Sequence, residues 1–291
     1  MRETPVVDLE PGAFGVGGRL SLKLELLQHS GSFKARGAFN AMLAADVPAA
    51  GIVAASGGNF ALAVAHAADE LGYPATIFVP EAAPAAKLDR LRRSGAEVVV
   101  AGAYYDDALV AARDRVEVTG ALELHAFDDP LVLAGQGTCG RELDLARPQL
   151  ETILVAVGGG GLCGGIAAWY GVRARIVAVE PQRCPSLARA LEAGHPVEVE
   201  VGGLAADSLG ARRIGDHPWA VIERWVDDSV LVADETIREA QRRLWAELRI
   251  AAEPGGAAAL AALLGGAYEP TAGERVGVVV CGGNFDPADL A

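Results

Sequence analysis

The sequence predicts an α/β protein of two lobes, each an open, mostly parallel sheet flanked by helices, with a ligand cleft between them. Three observations carry this expectation. Short apolar runs alternate with helical periodicity along most of the 291 residues, the pattern of parallel strands joined by crossover helices. Three runs end in glycine-rich turns, Ser56-Gly57-Gly58-Asn59, Gly158-Gly159-Gly160-Gly161 and Cys281-Gly282-Gly283-Asn284. Ligands of open α/β sheets bind beyond the carboxyl ends of strands. Finally, apolar residues make up 51% but aromatics only 5%, so alanine and valine have to fill the core.

Taken in order, 2–9 reads as an extended arm and 19–27 as a short strand, separated by a glycine-rich turn from Gly12 to Gly18. Ser30-Gly31-Ser32 leads into a helix from Lys34 to Ala45, with Ser32 as its expected N-cap. Strands are expected at 51–55, 73–80, 97–101 and 122–127, with helices at 60–71, 84–94 and 106–118 between them. A second alternating series follows, with helices at 130–146, 162–170 and 185–193 and strands at 152–157 and 174–180. The segment 194–225 has no clear pattern, although Asp207-Ser208-Leu209-Gly210 within it is expected to shape a pocket. An amphipathic helix at 234–248, a small-residue helix at 255–264 and a strand at 275–281 complete the chain. This order divides it into a small mobile lobe, 50–128, and a large one made of 1–49 and 129–291.

The formal net charge is −13. Such a surface repels nucleic acid and anionic membranes, so neither is an expected partner, and any anionic ligand must be held by local donors. No apolar run approaches the length of a membrane span, and Met1-Arg2-Glu3-Thr4-Pro5 carries no apolar leader. A cytoplasmic protein is therefore expected. Its four cysteines, Cys139, Cys163, Cys184 and Cys281, have neither zinc-site spacing nor the density of a disulfide framework.

Lys34 falls in the first turn of its helix, where the macrodipole disfavours a cation by a few tenths of a kcal/mol. A lysine of lowered pKa is what Schiff-base chemistry requires; a solvated lysine beside Arg36 is the plainer alternative. Gly158 to Gly161, between a strand and a helix, offers bare amides at a helix N-terminus, suited to a phosphate. A tight turn would need the same glycines. Gly159-x-Gly161-x-x-Gly164, with Glu180 further on, also matches a dinucleotide fingerprint. That alternative, a nicotinamide-dependent oxidoreductase, leaves Lys34 without a role. Ser56 to Asn59 presents a hydroxyl, two open amides and a carboxamide, a receptor for a carboxylate or phenolate oxygen as well as a plausible capped helix start. A cysteine at the position of Cys281 is more often a small core residue than a ligand.

In this order the motifs resemble the pyridoxal-phosphate enzymes of the tryptophan-synthase-β fold (fold type II), specifically the serine/threonine dehydratases and serine racemases. The resemblance runs through Lys23-x-Glu25, Ser30-Gly31-Ser32-Phe33-Lys34-x-Arg36-Gly37-Ala38, Ser56 to Asn59, Gly158 to Gly161, Glu180-Pro181, Glu253-Pro254 and Cys281 to Asn284. It implies that Lys34 carries pyridoxal 5′-phosphate covalently in the cleft between the lobes. Gly158, Gly159, Gly160 and Gly161, with Leu162, would hold its phosphate, Phe33 would line it, and Asn59 would contact its phenolic oxygen. Ser56, Gly57, Gly58 and Asn59 would receive the substrate carboxylate. Cys281 would face the pyridine nitrogen. A thiol there does not hold the ring protonated as a carboxylate would, which favours loss of a β leaving group over transamination.

Three departures from the family pattern stand out. Gly57 occupies the position of the catalytic serine of serine racemases, so weak racemisation is expected. Phe60 replaces the histidine common after the asparagine. The family's cation site uses residues matching Glu180, the carbonyl of Cys184 and an acid where this chain has Ser186, so no divalent metal is expected and only a monovalent cation is left open. The implied activity is that of a threonine/serine ammonia-lyase, acting on a small amino acid to give a 2-oxo acid and ammonia. The alternatives are a β-replacement enzyme of the cysteine-synthase kind, whose loops are typically threonine-rich, and a cofactor-binding protein without turnover. Family members are commonly dimers, with helix 255–264 as a contact surface here. Because only seven residues follow Asn284, no carboxyl-terminal regulatory domain is expected.

Overall fold

The valine- and isoleucine-rich runs form the strands. The computed structural model describes residues 1–81, 83 and 85–290. Its strands are β1 (Val6–Asp8), β2 (Arg19–Leu24), β3 (Ile52–Ala55), β4 (Ala75–Val79), β5 (Glu97–Val100), β6 (Leu122–Glu123), β7 (Thr152–Ala156), β8 (Arg175–Pro181), β9 (Asp228–Val232) and β10 (Arg275–Val280). The helices are α1 (Lys34–Ala44), α2 (Asn59–Leu71), α3 (Ala85–Arg92), α4 (Tyr105–Thr119), α5 (Pro130–Ala146) and α6 (Gly161–Tyr170). They continue with α7 (Ser186–Ala193), α8 (Ala206–Leu209), α9 (Asp216–Trp225), α10 (Asp234–Leu248) and α11 (Pro254–Leu264).

One sheet runs β1-β2-β10-β7-β8-β9, the other β5-β4-β3-β6. Among the described residues every pairing of these strands is parallel except that of β1 with β2. This is the expected architecture of two mostly parallel sheets flanked by helices. β7 and the Val276–Val280 part of β10 are buried throughout, as strands covered on both faces must be. The carboxyl ends of β3, β7 and β10 lead into the three glycine-rich turns. α1 packs into the core of the smaller sheet through Ala35, Phe39 and Met42.

Several local expectations are corrected. Ser32 does not cap α1: its backbone is extended (φ −161°, ψ 164°) and bridges to Gly282, and Phe33 takes the N-cap position. Backbone pairing holds this entry, with Phe33 N–H on Cys281 O at 3.0 Å and Gly283 N–H on Gly31 O at 3.0 Å. The strand expected at 19–27 ends at Leu24, and Glu25–Leu27 forms a 3-10 turn that carries Glu25 inward. The strand expected at 122–127 is only Leu122–Glu123. His125 Nδ1 accepts the amides of Phe127 and Asp128, a local turn that competes with extension of the strand. β9 was not expected, and 194–225 contains α8 and α9. β9 is a half-buried edge strand, which weakens its apolar signal. The expected start of the third helix at Pro84 lies outside the described residues.

Helix α11 is internal. Gly255 to Leu263 are all buried within the chain, against α10 and the larger sheet. The expectation that it meets a neighbouring molecule is therefore overturned; its small residues serve close packing inside the fold.

Candidate active site

The site is assembled where three strand exits meet the start of α1. Ser30 (φ 61°) and Gly31 (φ 78°) turn the chain through left-handed conformations just before Lys34. The Lys34 Nζ donates to Ala126 O at 2.8 Å and lies 5.1 Å from the Phe33 ring and 5.7 Å from the Phe60 ring. Its pKa falls to about 8, chiefly through loss of solvation, which the nearby Glu253 carboxylate opposes only in part. Burial, rather than the helix dipole, dominates the shift.

Behind Lys34, Arg36 is buried rather than part of a solvated basic turn. Its guanidinium makes a bidentate pair with Glu25 (2.6 and 2.7 Å) and another with Glu142 (2.7 and 2.6 Å). Lys23 Nζ donates to Glu142 (2.7 Å) and to Thr4 O (2.8 Å), and the Thr4 hydroxyl donates to Glu25. Two cations thus face two carboxylates, which offsets the cost of removing them from water. The cluster ties the amino-terminal arm, β2 and α5 to the first turn of α1.

Gly158 to Gly161 leave β7 and open α6, with Gly160 at φ 92°. A Cβ on Gly159 would lie 2.3 Å from the Phe127 ring, and one on Gly160 2.8 Å from Pro218. Only bare backbone fits here, and the first amides of a helix have no intrahelical acceptor. A narrow cleft is lined by Phe33, Lys34, Asn59, Gly158, Gly159, Gly160, Gly161, Leu162 and Cys281, together with Phe127, Ala156, Ser208, Leu209 and Glu253. The structure thus brings together every residue singled out for the cofactor. Ser56, Gly57 and Gly58 stand beside Asn59 but not in this wall; Gly58 N–H donates to Ser56 Oγ at 3.2 Å.

Cys281 Sγ donates to Gly255 O at 3.3 Å, and burial pushes the thiol pKa far up, so it stays neutral. Ser208 Oγ accepts the Gly255 amide at 3.2 Å. Asn59 donates to Glu253 at 2.6 Å and accepts from Asn284 at 2.9 Å. Sequence reasoning quoted Glu253 and Asn284 as motif residues without a role, and missed Phe127 and Ala156. Neither carries a local signal, because each reaches the cleft only through the tertiary fold.

Glu180 is fully buried, and its carboxylate accepts the amides of Leu187 (2.7 Å) and Ala188 (2.8 Å) at the start of α7, besides the Ser186 hydroxyl (3.2 Å). Burial raises its pKa to about 7 despite those donors. Committed to α7 and absent from the cleft wall, it does not serve as the ribose ligand of the nicotinamide alternative. Among the described residues no group of three or more His, Cys, Asp or Glu side chains could hold a metal ion. All four cysteines are free and buried.

The family model described as pyridoxal-phosphate dependent enzyme matches residues 1–282. An L-threonine ammonia-lyase of Thermotoga maritima is 38% identical over 275 residues, which cover 93% of this chain and 68% of that protein. A phenylserine dehydratase of Ralstonia pickettii is 38% identical over 299 residues, covering 100% of this chain and 90% of that protein. The structure of the processed form of threonine deaminase isoform 2 from Solanum lycopersicum matches with a TM-score of 0.93 and 31% identity, over 99% of this chain and 81% of that one.

Proposed function

The chain belongs to the family of pyridoxal-phosphate-dependent enzymes, and we propose that it is a lyase that removes water from a β-hydroxy amino acid, threonine or serine, giving a 2-oxo acid and ammonia. The observation that carries this reading is the desolvated Lys34 amine, lowered to about 8, in one cleft with the bare Gly158–Gly161 turn. Threonine and phenylserine, in the names of two relatives, share the β-hydroxyl that such a reaction needs.

The residues present fit the cofactor. The glycine turn and the first turn of α6 are an anion cradle that a Cβ would obstruct. Lys34 is the nucleophilic amine, and Asn59 offers a carboxamide at the wall. When bound, pyridoxal phosphate supplies the electron sink that makes the substrate Cα–H acidic and lets the β-hydroxyl depart. Lys34 Nζ takes the Cα proton. The neutral Cys281 thiol puts no anion at its wall of the cleft, so it would not hold the cofactor's pyridine nitrogen protonated. Phe33, Phe60 and Phe127 keep water from the amine. The Ser56–Gly58 turn at the start of α2 receives the substrate carboxylate on the Gly57 amide and the Ser56 hydroxyl, the Ser56 and Gly58 amides being already bonded to Phe78 O and Ser56 Oγ. With Gly57 in place of a hydroxyl side chain, no second acid or base serves the opposite face of Cα, so D-amino acid formation stays weak.

The proposed division into a smaller mobile lobe of 50–128 and a larger one of 1–49 and 129–291 is supported by the β5-β4-β3-β6 sheet, which lies wholly within 50–128; α1 packs into that sheet's core and would move with it. A soluble cytoplasmic homodimer completes the proposal. No helix among the described residues is long and apolar enough to cross a membrane, and light scattering on the purified protein reads the oligomer directly. The activity is tested by absorbance and product analysis. The protein should show a cofactor band at the edge of the visible and form 2-oxo acid from threonine or serine, and Lys34→Ala should lose both. A chain that binds the cofactor equally well without Lys34, or forms product only when sulfide is supplied, would overturn it.

A further inference from the structure

Building on the reading of the cleft as a pyridoxal-phosphate site, we infer that Arg90, Asn284 and Glu253 are positioning residues that lock the Asn59 carboxamide so that it can only donate into the cleft. Four side chains form one directed relay. Arg90 Nη1 donates to Asn284 Oδ1 at 2.8 Å. Asn284 Nδ2 donates to Asn59 Oδ1 at 2.9 Å and to Ser30 O at 2.8 Å. Asn59 Nδ2 donates to Glu253 Oε1 at 2.6 Å.

The two ends dictate the direction. A guanidinium has only donors, and a carboxylate has only acceptors. Flipping either carboxamide would set donor against donor or acceptor against acceptor and break the chain of hydrogen bonds. The Asn59 oxygen is thereby committed to Asn284. Its second Nδ2 hydrogen is what Asn59 has left to offer the cleft that it shares with Lys34. A donor held there favours an anionic oxygen on the ligand over a neutral hydroxyl.

The backbone leaves room for the relay at two glycines. A Cβ on Gly31 would lie 2.4 Å from Asn284 Oδ1, and one on Gly282 would lie 2.0 Å from Glu253 Oε1. The Glu253 main chain is itself pinned, its amide on Gly282 O at 3.1 Å. The relay also joins α3, beside the smaller sheet, to loops of the larger sheet.

The test titrates apoprotein with pyridoxal phosphate, reading cofactor absorbance, tryptophan fluorescence and the pH at which the bound cofactor's spectrum changes. Glu253→Gln keeps the volume and an acceptor but can present either amide atom, so it removes the directionality. Glu253→Gln and Arg90→Met should each weaken cofactor binding about two- to tenfold and raise the pH of the spectral change, while Arg90→Lys, still donor-only, retains most of the affinity. In an Asn59→Ala background neither substitution should matter by more than about twofold, because the group they orient is gone. Should Glu253→Gln not fold, Arg90→Met, at an exposed position, carries the same cycle. Equal losses with and without Asn59 would overturn the inference alone. A wild-type chain that takes up no pyridoxal phosphate would overturn the reading of the cleft, and the inference with it.

Discussion

Lys34 Nζ donates a 2.8 Å hydrogen bond to the carbonyl oxygen of Ala126, so the amine at the start of α1 is held by a neutral acceptor. The Glu253 carboxylate, an acid near enough to raise its pKa, does not outweigh its loss of solvation. The amine is therefore poised to lose its proton near pH 8 rather than near 10.5, the ordinary value.

Capture of pyridoxal phosphate by the apoprotein should follow that proton. Only the neutral amine attacks an aldehyde, so the capture rate should fall about tenfold for each pH unit below about 8 and level off above it. The sign for stability follows from the same shift. Because the folded-state pKa is lowered, the apoprotein gains stability as pH rises from about 8 towards 10.5. A stopped-flow capture rate that is flat from pH 6 to 9, roughly two units below to one above that pKa, would contradict this picture.

The Gly158–Gly161 turn should tolerate no side chain. Gly159→Ala places a methyl 2.3 Å from the Phe127 ring, and overpacking of this kind costs roughly 1–3 kcal/mol. Cofactor affinity should drop about tenfold while circular dichroism is unchanged. Trimming the obstruction in Phe127→Leu/Gly159→Ala should restore part of that affinity. Equilibrium titration checks both.

Arg36 should matter for folding more than for substrate binding. Arg36→Met leaves Glu25 and Glu142 facing only Lys23 and should cost about 3–5 kcal/mol in denaturant unfolding, as broken buried pairs do. Removing the stranded acid as well, in Arg36→Met/Glu25→Leu, should recover part of it. If the single variant unfolds at the wild-type denaturant concentration, the cluster is not holding α1.

Glu180 sets a pH dependence of opposite sign to that of Lys34. Its folded-state pKa, about 7, lies above the ordinary 4.5, so the folded chain binds this proton more tightly than the unfolded one. That contribution is complete below pH 4.5 and is lost as pH rises through about 7, on the order of 3 kcal/mol at most. In Glu180→Gln this loss disappears. The gap in thermal midpoint between variant and wild type should widen in the variant's favour from pH 4.5 to 7.5, other groups cancelling in the comparison.

Much of the site was legible because its residues carry local signals. The bare turn at 158–161 announces close backbone approach, and Lys34 follows a turn of small residues into a helix. The relay from Arg90 to Glu253 was not legible, since its members come from α3, the start of α2 and two distant loops. Ser32 shows the opposite failure. A serine two residues before the helix is a sound local cap signal, yet pairing with Gly282 holds its backbone extended. The same holds for α11, whose alanines and glycines suit an intermolecular contact as well as the internal packing they adopt.

From its order of residues alone, this chain specifies alternating strands and helices, the glycine turns at the strand exits and the lysine that follows Phe33. These are read from neighbours in the chain, where periodicity and backbone freedom act. Tertiary structure decided how acidic the Lys34 amine becomes, which way Asn59 presents its amide and where Arg36 and Glu180 spend their charge. Those depend on desolvation and on partners far away in sequence, and both act through space, so no local pattern encodes them.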